Sequence, residues 1–145
     1  MISLADIRQQ ANHDCGDAAV RVVLRALRRR PFEPGIAHLA TDPIDGTDPR
    51  AIETCLRAHG LLVLSGSATW GDLRHWTQNR PVLCLVQRAG VGHWVVAGRV
   101  TQRRAHYQCP SIGPDSQGRT TFMNAWRDVD RLGAIYRQWA IVAWR

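Results

Sequence analysis

The carboxy-terminal half of the chain is a succession of short β-branched and aromatic runs: "PVLCLV" from Pro81, "HWVVAGRV" from His93, "AHYQC" from Ala105 and "YRQWAIVAW" from Tyr136. Such runs, separated by turn material, suit a pleated and largely buried surface. What precedes them has a different period. Val20, Val23, Leu24 and Leu27 recur at helical spacing with Arg21, Arg25 and Arg28 on the opposite side, which predicts a helix from about Cys15 to Arg29 with one core face and one wet face. Asp14 stands at its N-cap, Asp17 complements the macrodipole and Pro31 stops it. After a polar loop rich in proline and glycine through Gly46, Asp48-Pro49 opens a second helix; Ile52, Cys55 and Leu56 share its inner face and Gly60 closes it. Leu61 to Leu64 reads as a buried strand. A third, shorter helix starts at the cap Thr69 and presents Leu73 and Trp76 to the core, and "TTFMNAW" reads as a short helix between the last two strand runs. Helices first and strands second give an α+β chain rather than a repeated βαβ unit.

The 145 residues, 45% of them hydrophobic, suffice for one ordinary core and are few for two, so residues 1–145 are expected to form a single domain. No apolar stretch approaches the roughly 20 residues that cross a bilayer, and Met1 to Gln9 lacks the charged start and apolar centre of a signal peptide. The expectation is a cytoplasmic chain without a membrane span. A net charge of +7 raises the question of nucleic acid, but the basic residues are scattered and no reader motif accompanies them. All nineteen are arginine, which excludes a phosphate-loop lysine and Schiff-base chemistry. A solvated basic surface is the simpler reading. Cys15, Cys55, Cys84 and Cys109 include no Cys-x-x-Cys pair, so reduced thiols are expected rather than a disulfide framework or a zinc knuckle.

One of these thiols has an unusual address. Cys15 opens the first helix, where free backbone N–H groups and the positive end of the macrodipole favour a thiolate. Its neighbours His13, Asp14 and Gly16 are polar or small, whereas Cys55 and Cys84 sit among apolar residues, and Gly16 would let a substrate backbone come close. A cysteine nucleophile needs a base. His93 is the best placed, starting a strand directly after "RAGVG" at the margin of a sheet. His38 and His106 lack a glycine-rich approach, His59 and His75 sit near helix ends, and His13 is too local to Cys15 to need a fold.

Gln9, Cys15, Gly16 and Ala18, read as Q-x5-C-G-x-A, together with "GHWVV" from Gly92 to Val96, resemble the papain-like, bacteriocin-processing cysteine peptidases that cut leader peptides after a double glycine. The order of helices, "RPVLCLV" before the histidine, "YQCPSIG" after it and "FMNAW" near the end are similar to that family over nearly the whole chain. The resemblance implies a papain-like α+β fold, with amino-terminal helices packed on an antiparallel sheet from the carboxy-terminal half. It implies Cys15 as the nucleophile, His93 as the base that later protonates the leaving amine, and the Gln9 side-chain amide as an oxyanion-hole donor beside the Cys15 backbone N–H. Gln10 is the shifted alternative to Gln9 and reads better as a surface residue. No cofactor and no metal are implied.

The chain departs from that family at the third position. Sixteen residues after the histidine the family carries an aspartate or asparagine, usually before proline, and here Cys109 precedes Pro110. A thiol is a poor orienting acceptor for imidazole. Three readings stay open: Asp115 in the loop "SIGPDSQG" reaches the ring, a backbone carbonyl or water orients it to leave a Cys–His dyad, or the site has lost peptidase activity. Cys15, His93 and Cys109 could also be read as zinc ligands, though no short-spaced pair supports it. Family members often begin an export transporter; this sequence shows neither a transmembrane region nor an ATP-binding lysine motif, so it is expected to act alone or beside a separate export or processing partner. Trp70, Trp76, Trp94 and Trp126 are candidate walls for a narrow cleft, a role less common for tryptophan than core packing. The enzyme expected is a thiol peptidase, or related acyl-transfer enzyme, acting on a peptide or protein. The alternative is a papain-like module that binds a peptide without cutting it.

Overall fold

A computed structural model describes residues 2–10, 14–29, 41–42, 46–130 and 132–145. In chain order its elements are α1 (Cys15–Ala26), β1 (Thr41–Asp42), β2 (Gly46–Thr47), α2 (Pro49–Ala58), β3 (Leu62–Ser67), α3 (Trp70–Trp76) and β4 (Val82–Arg88). Then come β5 (Val91–Val100), β6 (Arg104–Cys109), β7 (Gly113–Gly118), α4 (Arg119–Ala125), β8 (Arg127–Val129), β9 (Ile135–Arg137) and β10 (Trp139–Trp144). Six strands form one sheet in the order β3-β10-β4-β5-β6-β7, every neighbouring pair antiparallel. This is the α+β architecture the sequence predicts.

The sheet is covered on both faces. Leu83, Leu85, Trp94, Val96 and Ile141 pack against α1 and α2, while Val82, Cys84, Val86, Val95 and Val142 pack against α3 and α4. Two covered faces account for the unbroken apolar run in β4, because neither side of that strand meets water. The alternation of period two sorts its side chains between the clusters. β4 and β5 are joined through Ala89 and Gly90 alone, at φ 52° and 78°, the positive values that a two-residue hairpin matched to sheet twist requires.

The helix starts agree with their sequence signals. Asp48 accepts from the Ala51 N–H at 2.9 Å, and Pro49 occupies the first turn of α2. Thr69 and Asp72 form a reciprocal capping box on α3. Several expectations are corrected. α1 ends at Ala26 rather than near Arg29: Arg28 turns left-handed at φ 58°, and the N–H groups of Arg28 and Arg29 return to the carbonyls of Arg25 and Leu24. Arg21 is not on a wet face; it is buried, its Nε donating to Asp17 Oδ2 at 3.0 Å one turn back. Leu61–Leu64 is not a buried strand, since β3 is a sheet edge that leaves Leu62 and Leu64 exposed. The last run is two strands, broken at Gln138 with φ 50°. Pro31, and most of the loop before Gly46, lie outside the described residues.

The amino-terminal segment 2–10 is strapped along the β6 side of the sheet. The Ile2 N–H bonds the Gly98 carbonyl at 3.1 Å, Gln108 Nε2 donates to Asp6 Oδ1 at 2.7 Å, and the Gln9 N–H bonds the Pro110 carbonyl at 2.9 Å. Gly98 is required there, because a Cβ would lie 2.7 Å from Leu4 Cδ1. Trp70, Trp94 and Trp126 are core residues whose indole N–H groups find carbonyls of Thr101, Thr47 and Trp139, each at 2.9 Å. Trp76 is half-buried against the same core. The tryptophans offered as cleft walls are thus committed to packing. No helix among the described residues is long and apolar enough to cross a membrane.

Candidate active site

Cys15 is the first residue of α1, as its cap signal predicts, although the Asp14 side chain makes no capping bond to the helix. The start of α1 is held from the side. A Cβ on Gly16 would lie 2.6 Å from Thr47 Cβ, so the glycine exists to admit Thr47, not a substrate backbone as its sequence context suggests. Thr47 in turn accepts the indole N–H of Trp94, the residue after His93. This chain of contacts ties the helix that carries the thiol to the strand that carries the imidazole. Cys15 is buried among the apolar side chains of the first cluster, so the polar neighbours read from the sequence do not describe its packing.

His93 is the third residue of β5, not its first, and the residue is 9% exposed rather than at an open margin. The strand pairing sets it opposite Val86 of β4. The Asp128 carboxylate occupies the space that a Cβ on Gly92, just before His93, would take. Cys109 ends β6 and presents its Sγ 3.3 Å from His93 Nε2. Burial works against a charged imidazole here, yet hydrogen bonds to Cys109 and then Cys15, with the charges of both sulfurs, hold the ring up at about 9. With Nε2 engaged by Cys109, Nδ1 is the nitrogen left for Cys15.

Three further groups converge on Cys109. Arg88 Nη1, at the end of β4, lies 2.8 Å from its sulfur, and Ser111 Oγ lies 3.3 Å away. Burial pushes the Cys109 thiol up, but hydrogen bonds from His93, from the Ser111 hydroxyl and from the backbone N–H groups of Ser111 and Ile112 overcome it and bring the thiol down to about 6. Cys55 goes the other way, to about 11, through burial first and the Asp17 carboxylate second. Burial alone raises Cys84 further still. All four thiols are free of disulfides.

Of the residues singled out in the sequence, Cys15, His93 and Cys109 come together, and the Gln9 backbone N–H is held on the carbonyl of Pro110, the residue after Cys109. Gln10 is exposed, in keeping with a surface role. Asp115 does not reach the ring: it lies in β7, which the sequence presents as a loop, and accepts from the Tyr107 hydroxyl at 3.1 Å. Asp115, Tyr107, Arg88, His93 and Phe122 nonetheless line one cavity of about 110 Å³. His106 pairs across to Ser116 in the β6–β7 ladder, His59 caps α2 and His75 is exposed on α3, while His13 and His38 lie outside the described residues. Arg88 is the group that sequence reasoning missed. Its signal is the register of the hairpin: two residues beyond Val86, it shares a face of the sheet with the partner of His93. Among the described residues, no three His, Cys, Asp or Glu side chains are grouped as a metal ligand set.

A thiol on the first turn of a helix, an imidazole on a neighbouring antiparallel strand and a third polar group behind that imidazole define the class of papain-like cysteine peptidases. The chain belongs to the Peptidase C39 family, whose profile matches residues 4–130. It is therefore a hydrolase of the cysteine peptidase type. No curated protein matches its sequence. Among solved structures, it is similar to a double glycine motif protease from an AMS/PCAT transporter in complex with the leader peptide, at 15% identity over 98% of this chain and 91% of that one, with a TM-score of 0.71. It is also similar to the peptidase domain of Streptococcus ComA, a bi-functional ABC transporter involved in a quorum sensing pathway, at 15% identity over the full length of both chains, with a TM-score of 0.75. At that identity the likeness is one of fold.

Proposed function

We propose that residues 1–145 form a single papain-like peptidase domain that cuts a leader peptide after a double glycine, with Cys15 as nucleophile, His93 as acid and base, and Gln9 as oxyanion donor. The observation that carries this reading is the placement of His93 within reach of Cys15 while its far nitrogen is tied down, which leaves the ring no freedom to turn away. The Cys15 sulfur attacks the scissile carbonyl, and its electron pair forms the thioester bond as the peptide C–N bond breaks. The charged His93 gives its proton to the leaving amine. Water then attacks the thioester, His93 takes the proton released, and Cys15 leaves with the electron pair of the C–S bond. The Gln9 side-chain amide and the Cys15 N–H donate to the oxyanion of both tetrahedral intermediates.

The substrate assignment is supported by the family and by the neighbour captured with its leader peptide. A cytoplasmic site of action with an export transporter as partner is supported by neighbours that are a protease and a peptidase domain of transporters. The test is cleavage of a peptide library with and without Gly-Gly before the cut, with Cys15→Ala as control. Cuts confined to the Gly-Gly peptides and absent in Cys15→Ala are expected. Leader bound at low micromolar concentration but never cut would instead establish the binding module.

A further inference from the structure

We propose that Cys109 serves as a thiolate that orients His93, with Arg88 as its fixed counter-cation, so that the imidazole is held between two sulfurs of different purpose. This rests on the peptidase reading above for its catalytic meaning, but the arrangement around Cys109 stands on its own geometry. A neutral thiol offers one weak donor and a weak acceptor. Here a guanidinium at 2.8 Å, an imidazole nitrogen at 3.3 Å and a hydroxyl at 3.3 Å all meet one sulfur, joined by two backbone N–H groups. Donors in such number, one of them permanently charged, match an anion rather than an S–H group.

A fixed positive charge stands directly against the Cys109 sulfur, the Arg88 guanidinium. The other charged or titratable groups that bear on Cys109 do not displace that pairing. Arg8, on the amino-terminal strap, is engaged by Asp6 and adds a more distant positive charge; Asp115 is engaged by Tyr107, whose own ionisation the Cys109 charge discourages. Cys109 is thus a positioning residue: it touches His93, never the substrate, and fixes which nitrogen of the ring faces Cys15. A weak acceptor at this place in the sequence becomes a strong one because donors from other parts of the chain, the Arg88 guanidinium among them, meet its sulfur.

The experiment has two readouts. In Cys15→Ala, the thiolate absorbance near 240 nm is followed from pH 4 to 10, a range in which Cys55 and Cys84 stay protonated. We expect one thiolate to appear near pH 6, to shift upward by at least about one unit in Cys15→Ala/Arg88→Gln, and to vanish in Cys15→Ala/Cys109→Ser. Absence of any thiolate below pH 8 in Cys15→Ala overturns the proposal, as does indifference to Arg88→Gln; because Arg88 is exposed, that variant stays informative even if Cys109→Ser does not fold. The second readout is cleavage of a Gly-Gly leader peptide with Cys15 intact. Cys109→Ser should lower kcat/KM by at least about 10-fold, short of the roughly 10⁴-fold that a serine triad loses with its acid, since a thiol nucleophile depends less on a base. Cys109→Asp should recover most of the loss and move the acid limb of the pH profile down. Full activity with an unchanged profile in Cys109→Ser defeats the proposal and leaves the peptidase reading intact. A thiolate that titrates as described, in a protein that cuts no peptide, upholds the Cys109 assignment and defeats the peptidase reading instead.

Discussion

Replacing Gly16 with alanine separates two effects of opposite sign. Alanine is the better helix former by up to about 1 kcal/mol, though less in the first turn, where the backbone is not fully hydrogen-bonded. Against this, the new Cβ would lie 2.6 Å from Thr47 Cβ and 2.7 Å from Thr47 Oγ1. Ordinary contact begins near 3.4 Å, so one partner must retreat by most of an ångström. Thr47 cannot do so freely: it is buried, and its carbonyl holds the Trp94 indole. Overpacking of this kind costs about 1–3 kcal/mol, which exceeds the propensity gain and leaves a net loss of about 1–2 kcal/mol. For a chain of this size that lowers Tm by about 2–8 °C. Thermal unfolding of Gly16→Ala, and of Gly16→Ala/Thr47→Gly, which removes the obstructing side chain, measures it directly. The displaced helix start should also slow iodoacetamide alkylation of Cys15, read by mass spectrometry of its peptide. If Gly16→Ala melts at or above the wild-type temperature, the close packing of α1 on Thr47 is wrong.

Gln9→Ala should lower kcat by about 10²-fold to 10³-fold with little change in Tm, the usual loss of one oxyanion donor; a kcat within about twofold of wild type would remove Gln9 from the mechanism. Asp115→Asn should leave leader cleavage within about threefold, because that carboxylate is bound to Tyr107, and a 10-fold loss would return Asp115 to the orienting role. The His93 side chain, followed by its ring ¹⁵N shifts, should stay an imidazolium through pH 8 and lose its proton near 9, with kcat/KM falling over the same range. The linked stability has a defined sign: raised from 6.5 to about 9, His93 contributes stability complete below pH 6.5 and lost as pH climbs to 9, at most about 3 kcal/mol. Cys109, lowered to about 6, contributes in the opposite sense, complete above 9 and lost as pH falls to 6. The two slopes largely cancel between pH 6.5 and 9. A urea midpoint that changes steeply across that window would show that the fold does not place the proton on the ring.

Much of the fold is legible residue by residue where the signal is local. Asp48-Pro49, Thr69 with Asp72, and Gly60 at φ 79° act through neighbours a few positions away, and the elements they bound agree with expectation. Elements decided by distant partners are less visible. β7 reads as turn material because "GPDSQG" carries no apolar residue, yet its backbone completes the β6 ladder at a sheet edge, where a core-facing side chain is not needed. Arg21 reads as solvated by its charge and is buried because Asp17 lies one turn before it. The site divides the same way. Cys15 and His93 are singled out by motif and chemical type, and the fold brings them together. Cys109 reads as a poor acceptor on chemical type, since the strength of a sulfur as an acceptor depends on its charge. The donors that favour that charge, His93 first and then Ser111 and the backbone beyond it, meet the sulfur only in the folded chain.

The meeting of His93 and Cys109 has a consequence for the newly made chain. Apart from the fold, a thiol near 9 keeps its proton and an imidazole near 6.5 gives its own up; assembled, the ranking inverts. The ion pair is therefore a product of tertiary structure: an unravelled copy at neutral pH carries neither charge, and both vanish together when the chain loses its shape.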